Sequence, residues 1–367
     1  MNIKTFSINL LLCFLVYALF EYFSGEYKNK KVLDLNHNYL VINKSVELDV
    51  PFYTPEPIKI KYHRDSYGLK DRFKDINKVD IVTVGGSTTE QRYLSVENTW
   101  TDILEKNINK NNKDNIDIVN AGISGQSSKG HIWNFNNWFK NIKGFKPKYV
   151  IFYMGINENE SNNLYGAKGD PQPYQENSDF KNKLKNFFKK NNGITYRIYL
   201  KATLHKSDLM GVWHNQWRIY QPYKKIDTDT KKFKNITFDI IKKRLKNLNK
   251  LSNEIGATPI FVTQKTLRWK KEGKTVYSID AQDHYYNEMN IAKTVMSFCK
   301  KNNLQCIDGF NNLDFTINDT WDLIHVSPSG SKKLLHLYIK NFIFYFKSRY
   351  FSSKNLLPKN IQPASVK

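Results

Sequence analysis

The chain has 367 residues, 40% of them apolar and 14% aromatic, which is enough for one large domain or two small ones and excludes a disordered chain. Its 57 lysines and arginines against 34 aspartates and glutamates leave a net charge of +23, a value compatible with nucleic acid, a membrane surface or a polyanion as neighbour. Only eight of the cations are arginine, the planar fork that reads phosphates and bases, and the lysines are scattered among asparagines along the chain; nucleic acid is therefore not the expected partner. Most of the charge reads as solvated faces, with a bound polyanion or anionic lipid surface as the lesser reading.

In chain order, the first feature is FSINLLLCFLVYALF, residues 6–20, preceded by Lys4 and followed by Glu21, Lys28, Lys30 and Lys31. A run of about 15 apolar-dominated residues is short for a bilayer span of roughly 20. It reads as an uncleaved signal-anchor within residues 1–27, with a signal peptide as the alternative; Val16-Tyr17-Ala18 is the best cleavage site and Leu12 spoils a lipobox at Cys13. A third reading is an amphipathic or buried first helix. Residues 28–78 are polar, with Pro51, Pro55 and Pro57, and are expected to be an extended lead-in.

From residue 79 the pattern alternates. Short apolar runs at 81–84, 116–119, 149–154, 260–263 and 304–307 are separated mostly by stretches with helical spacing, the signature of a parallel sheet. Asn98 and Thr99 can cap a helix through Trp100, Ile103, Leu104 and Ile108. Phe238, Ile241, Leu245, Leu248, Ser252 and Ile255 share one face of a second helix that ends at Gly256. A third follows Pro328 and carries Leu334, Leu335, Leu337 and Tyr338. Residues 158–230 interrupt the alternation. They hold aromatic pieces at 196–199 and 212–223 and are expected to form a small helical insertion over the ligand crevice at the carboxyl ends of the strands. The tail, 351–367, reads as disordered.

Cys13, Cys299 and Cys306 include no CxxC, and the eight histidines form no pair at ligand spacing, so no metal, cofactor or disulfide framework is expected. Cys299 and Cys306 could pair, but they read as two ordinary buried thiols.

The chemistry gathers where the strands end. The first runs VTVGGSTTE, placing Ser87 at the carboxyl edge of the sheet after Gly85 and Gly86. Thr89 stands where a G-x-S-x-G elbow needs its second glycine, so that motif is absent. The second strand ends VNAGISGQSS, where Gly122 and Gly125 can expose backbone N–H groups toward an anion; Lys129 precedes Gly130, so the Walker pattern is not met. The third ends YMGINE, bringing the Asn157 amide to the same edge. After the fifth comes WDLIHVSPSG, with Asp322 and His325 three apart and able to face one side of a turn.

Serine after strand one, glycine after strand two, asparagine after strand three and Asp-x-x-His before the last helix together resemble the SGNH hydrolases, also called GDSL esterases and lipases. The likeness covers residues 79–346, and RDSYGLKDRF before GGSTT is similar to membrane-associated bacterial members. The resemblance implies a three-layer α/β/α sandwich around a five-stranded parallel sheet, flavodoxin-like, within a hydrolase domain of residues 79–350. It implies Ser87 as nucleophile, His325 as general base and Asp322 as its orienting partner, with an oxyanion hole from Ser87, Gly125 and Asn157. Two positions depart: Gly86 replaces the aspartate of Gly-Asp-Ser, and Glu158 replaces the aspartate after the third-block asparagine.

The expected activity is removal of a small acyl group from a glycan or lipid at the cell envelope by a membrane-anchored domain. One alternative is an O-acyltransferase acting on surface polysaccharide through the same site. Another is a catalytically idle glycan-binding protein whose insertion, with Trp213, Trp217, Tyr220 and Tyr223, grips an anionic polysaccharide.

Overall fold

The computed structural model describes residues 3–24, 44–50, 58–70, 75–110, 115–158, 170, 223–226, 238–279 and 283–350. The chain divides into two units, residues 1–35 with 172–217, and residues 36–171 with 218–367. Most of the expected insertion and all of the expected tail lie outside the described residues.

In the first unit the described element is helix α1 (Ile3–Ser24). Phe6, Ile8, Leu10, Leu12, Phe14, Val16, Leu19 and Phe20 are exposed along it. Among the described residues no helix is long and apolar enough to cross a membrane.

The second unit holds the sheet. The lead-in is more structured than its prolines suggest: β1 (Lys44–Val50) pairs antiparallel with β2 (Ile58–Arg64), and Ile60, Tyr62, Arg64, Leu69 and Lys70 are buried. Next come β3 (Val79–Gly85), α2 (Ser87–Glu90), α3 (Trp100–Asn109), β4 (Asp117–Asn120), α4 (Ser128–Asn137) and β5 (Tyr149–Met154). After β6 (Lys224–Lys225) follow α5 (Phe238–Glu254), β7 (Thr258–Thr263), β8 (Trp269–Glu272), β9 (Thr275–Ser278), α6 (Asp283–Asn302), β10 (Gln305–Ile307), α7 (Gly309–Asn312) and α8 (Pro328–Tyr350).

The five runs singled out by their apolar character form one parallel sheet in the order β10-β7-β5-β3-β4. β5 is central and all six of its residues are buried, as a strand covered on both faces requires. Alternation divides its side chains between two layers. Ile81, Tyr149, Ile151, Ile260 and Val262 join Trp100 and Leu104 of α3 and Leu334, Leu335 and Tyr338 of α8 in one cluster. Trp100 stacks on Tyr338 with ring centroids 4.7 Å apart. On the other face Phe152 meets Phe135 of α4 at 6.0 Å and Phe261 at 5.1 Å, and Phe261 meets Phe298 of α6 at 6.0 Å. These rings and the aliphatic side chains around them hold helices to sheet, at about 1.5–3 kcal/mol per fully buried side chain.

Two features were not expected. β6, β9 and β8 form a small antiparallel sheet beside the main one, with the β8–β9 turn made at Gly273, whose φ is +60°. Cys299 and Cys306 are joined as a disulfide, a correction to the reading of two separate thiols. The reason is the tight passage from α6 to β10. Asn303 adopts φ +51° and the Leu304 N–H bonds back to the Cys299 carbonyl at 3.0 Å, which leaves the two Cα atoms 6.1 Å apart and within disulfide reach.

Candidate active site

β3 delivers Ser87 directly: the strand ends at Gly85, Gly86 stays extended, and α2 begins at Ser87. Gly86 is there for space. A Cβ at this position would stand 2.4 Å from Nδ2 of Asn157, so any side chain would displace that amide.

The Ser87 hydroxyl lies 2.7 Å from Nε2 of His325, and Nδ1 of His325 lies 2.5 Å from Asp322 Oδ2. Spacing alone left open whether Asp322 could reach the imidazole. The turn settles it: Leu323 takes a left-handed conformation, φ +63°, and Asp322 Oδ1 accepts the N–H groups of Ile324 at 3.0 Å and His325 at 2.6 Å. Such a conformation costs a leucine about 1–3 kcal/mol. Burial of its side chain and a 2.7 Å hydrogen bond from the Leu267 N–H to its carbonyl hold it in place. Trp321 lies against the imidazole, ring centroids 4.9 Å apart and planes 14° from parallel, and the Tyr93 ring meets Trp321 edge-on.

The second and third loops face this serine. Gly125 has φ +76° in a turn closed by a bond from the Gln126 N–H to the Ile123 carbonyl, a conformation that favours glycine. Asn157 sits in the single turn Ile156–Glu158 after β5 and donates one amide hydrogen to the Gln126 carbonyl at 2.9 Å. An amide has two such hydrogens. Among the described residues, the backbone N–H groups of Ser87 and Gly125 have no acceptor. The structure thus brings all five sequence-selected residues, Ser87, Gly125, Asn157, Asp322 and His325, to one sheet edge. A cavity of about 120 Å³ opens there, lined by Ser87, Arg92, Tyr93, Ser124, Trp321 and His325 among others. Among the described residues no group of three or more His, Cys, Asp or Glu could hold a metal ion.

Two buried polar networks brace this edge, and sequence reasoning missed most of both. The first stands behind Ser87. Glu90, the last residue of α2, accepts from Tyr62 at 2.7 Å and from Arg64 at 3.1 Å, and Arg92 reaches the same carboxylate oxygen at 3.2 Å. Arg64 also donates to the carbonyls of Gly68 and Gly122, both at 2.6 Å, and Lys70 donates to those of Gln91 and Leu94. Burial pushes the Glu90 carboxyl up, but the Arg92 and Arg64 charges outweigh it and hold it at about 2. Burial likewise raises the Tyr62 phenol to about 12.

The second network caps α4 beside Gly125. Asp170 accepts from the N–H groups of Ser127 and Gly130, each at 2.8 Å, and from the Ser127 hydroxyl. Glu158 accepts from the N–H and hydroxyl of Ser128, each at 2.7 Å. Carboxylates at a helix N-terminus satisfy orphan donors and meet the positive end of the dipole. Burial dominates at Glu158 and raises its carboxyl to about 7, with the two Ser128 hydrogen bonds and Arg244, 3.7 Å away, only partly offsetting it. Gln264, at the end of β7, ties the loops together by donating to Thr88 Oγ1 at 2.7 Å and accepting from the Ile156 N–H at 2.8 Å. The RDSYGLK stretch, with Arg64 and Lys70, and the glutamate after Asn157 were visible signals for three members; nothing in the sequence marked Asp170 or Gln264.

Residues 81–337 match the GDSL-like lipase/acylhydrolase family. No curated protein matches the chain. Among solved structures, a catalytic mutant of Axe2, an acetylxylan esterase from Geobacillus stearothermophilus, aligns at 13% identity and a TM-score of 0.42, over 72% of this chain and 93% of that one. TesA aligns at 12% identity and a TM-score of 0.39, over 72% and 97%. A GDSL-like lipase from Bacteroides thetaiotaomicron aligns at 12% identity and a TM-score of 0.37, over 74% and 91%.

Proposed function

This chain belongs to the GDSL-like lipase/acylhydrolase family, whose members hydrolyse ester bonds, and from that premise we propose that it removes a small acyl group through Ser87, His325 and Asp322. The observation that carries the proposal is the continuous hydrogen-bonded path from Asp322 through His325 to Ser87, facing two N–H groups that have no acceptor among the described residues.

In this reading the Ser87 oxygen attacks the acyl carbon while its proton passes to Nε2 of His325. Asp322 holds the proton on Nδ1 and stabilises the imidazolium, and the stacked Trp321 keeps the ring in plane. The carbonyl oxygen gathers negative charge and is met by the N–H groups of Ser87 and Gly125 and the amide of Asn157, each such donor being worth roughly 3–4 kcal/mol in the transition state. Collapse expels the alkoxide, which takes the proton back from Nε2. A water then attacks the acyl-serine by the same route, releasing the acid and restoring Ser87. The small cavity favours a short acyl group such as acetyl over a long chain.

An extracytoplasmic location fits this reading. A disulfide at Cys299–Cys306 suits an oxidising compartment, and the exposed apolar residues of α1 suit attachment to a membrane. The acyl donor would then be an esterified glycan or lipid of the cell envelope.

The test is hydrolysis of 4-nitrophenyl acetate by the purified chain and its Ser87→Ala variant. Turnover by the parent with loss of at least about 10⁴-fold in the variant is expected. Equal rates would reject Ser87 as the nucleophile.

A further inference from the structure

Among the described residues, the cavity beside Ser87 has one residue of fixed charge open to solvent. Two charged residues of fixed sign line it, and their exposures decide the matter: the Glu90 side chain is 1% exposed, whereas that of Arg92 is 37% exposed. Arg92 spends Nε and one terminal nitrogen on Glu90, at 3.4 and 3.2 Å, and its Nη1 has no acceptor among the described residues. The backbone is bent to put it there. Gln91 takes the left-handed conformation, φ +46°, at the end of α2, and is held by its own side chain, which accepts from the Trp100 N–H and donates to the Ser331 hydroxyl, each at 2.8 Å. A non-glycine residue held in that region turns the chain sharply, so Arg92 doubles back toward the serine that opens the helix.

Neutralising Glu90 does not account for Arg92. Arg64 is fully buried against the same carboxylate at 3.1 Å, Tyr62 donates to it at 2.7 Å, and Lys70 lies close by. Among the described residues, Arg64, Lys70 and Arg92 outnumber Glu90 and Asp65 in the cluster, and Arg92 is its exposed cation. The net charge of +23 on the chain points the same way, since it raises the local concentration of anions. Tyr93 and Trp321 line the same cavity and add aromatic surface of the kind that packs against sugars, and a cavity of about 120 Å³ is well below the ~300–1,000 Å³ that enclose larger apolar ligands.

Resting on the esterase reading above, we propose that Arg92 forms an anion subsite beside Ser87, so that the preferred substrate is an acylated glycan carrying a carboxylate close to the scissile ester. The guanidinium edge left over from Glu90 meets the sugar carboxylate, the Tyr93 and Trp321 rings carry the sugar, and the acyl group enters toward Ser87. Arg92 acts in substrate selection and leaves bond breaking to Ser87 and His325.

The test uses the full chain and four probes: by acetate release, 4-nitrophenyl acetate, an O-acetylated oligogalacturonide and the same oligomer with its carboxyl groups reduced to hydroxymethyl, and, by fatty-acid release, lysophosphatidylglycerol. The parent is expected to favour the anionic oligomer over the reduced one by about tenfold or more in kcat/KM, the scale of one hydrogen bond to a charged group, with the difference in KM. Arg92→Gln should bring that ratio to about one, and Arg92→Lys should retain part of it, because the charge survives but the fork does not. In the parent, raising the salt should shrink the ratio, a reading that needs no variant. An equal rate on the two oligomers by a parent that turns over 4-nitrophenyl acetate would overturn the anion subsite and leave the esterase reading standing. A ratio unchanged in Arg92→Gln, or a preference for lysophosphatidylglycerol over both sugars, would overturn it too. No turnover of 4-nitrophenyl acetate by the parent would reject both.

Discussion

The two walls of the site are braced by opposite charges. Behind Ser87, cations crowd around one buried carboxylate, so Glu90 is held ionised with its carboxyl at about 2. Beneath Gly125 and beside Asn157, buried carboxylates collect backbone N–H groups, and Glu158 is raised to about 7 because burial outweighs the Ser128 hydrogen bonds and the Arg244 charge. The first wall presents a nucleophile and gains from positive surroundings that favour developing negative charge. The second must present N–H donors, and carboxylates that hold the helix start from below keep those donors aimed without occupying them. One fold edge therefore carries two supports with contrary responses to pH.

The largest expected effect comes from the catalytic path that ends at Ser87, in front of the first wall. Asp322→Asn keeps the shape of the turn but favours the wrong imidazole tautomer, and kcat on 4-nitrophenyl acetate should fall by about 10⁴-fold. A loss under tenfold would mean that Asp322 serves only the turn. Breaking the second wall costs less: Asn157→Ala should lower kcat by about 10²–10³-fold with little change in KM. Gly86→Ala should reach the same amide indirectly, because its methyl would stand 2.4 Å from Nδ2 of Asn157. Adding it to Asn157→Ala should then cost little more, as expected for residues acting through one contact. Additive losses in that cycle would contradict the contact.

The smallest effects are in stability, and they sharpen the contrast by sign. Glu90 has a folded value of about 2 against an ordinary 4.5, so its contribution is present above about 4.5 and is lost as pH falls toward 2. Glu158 has a folded value of about 7, so its contribution is complete below about 4.5 and is lost as pH rises through 7. Each amounts to an order of 3 kcal/mol over its window. Thermal melts from pH 3 to 8 should show Glu158→Gln flattening the neutral side and Glu90→Gln flattening the acid side. The same slope in both variants would mean that the two carboxylates do not differ.

The sheet was legible in the sequence because its strands obey a local rule, and the five central residues because their order along the chain resembles a known family, each motif alone being weak. Apolar runs marked the strands, and the polar or glycine residue after each run marked the edge, as with Ser87, Gly125 and Asn157. What escaped depends on contacts between distant segments. Arg64 meets Glu90 across 26 residues, Gln264 meets Thr88 across 176, and Asp170 caps α4 from 40 or more residues downstream. No periodicity records such meetings. The Cys299–Cys306 bond escaped because it depends on how sharply the chain turns after α6, and the β8–β9 hairpin because its four-residue strands are too short to show alternation around Gly273.

The most direct test of the central claim is covalent. The full-length chain should react with a fluorophosphonate, and the mass of one phosphonyl group should be found on the peptide containing Ser87, with no labelling after Ser87→Ala. Label on a different serine, or an unlabelled parent that still hydrolyses 4-nitrophenyl acetate, would contradict the assignment of Ser87 as the nucleophile.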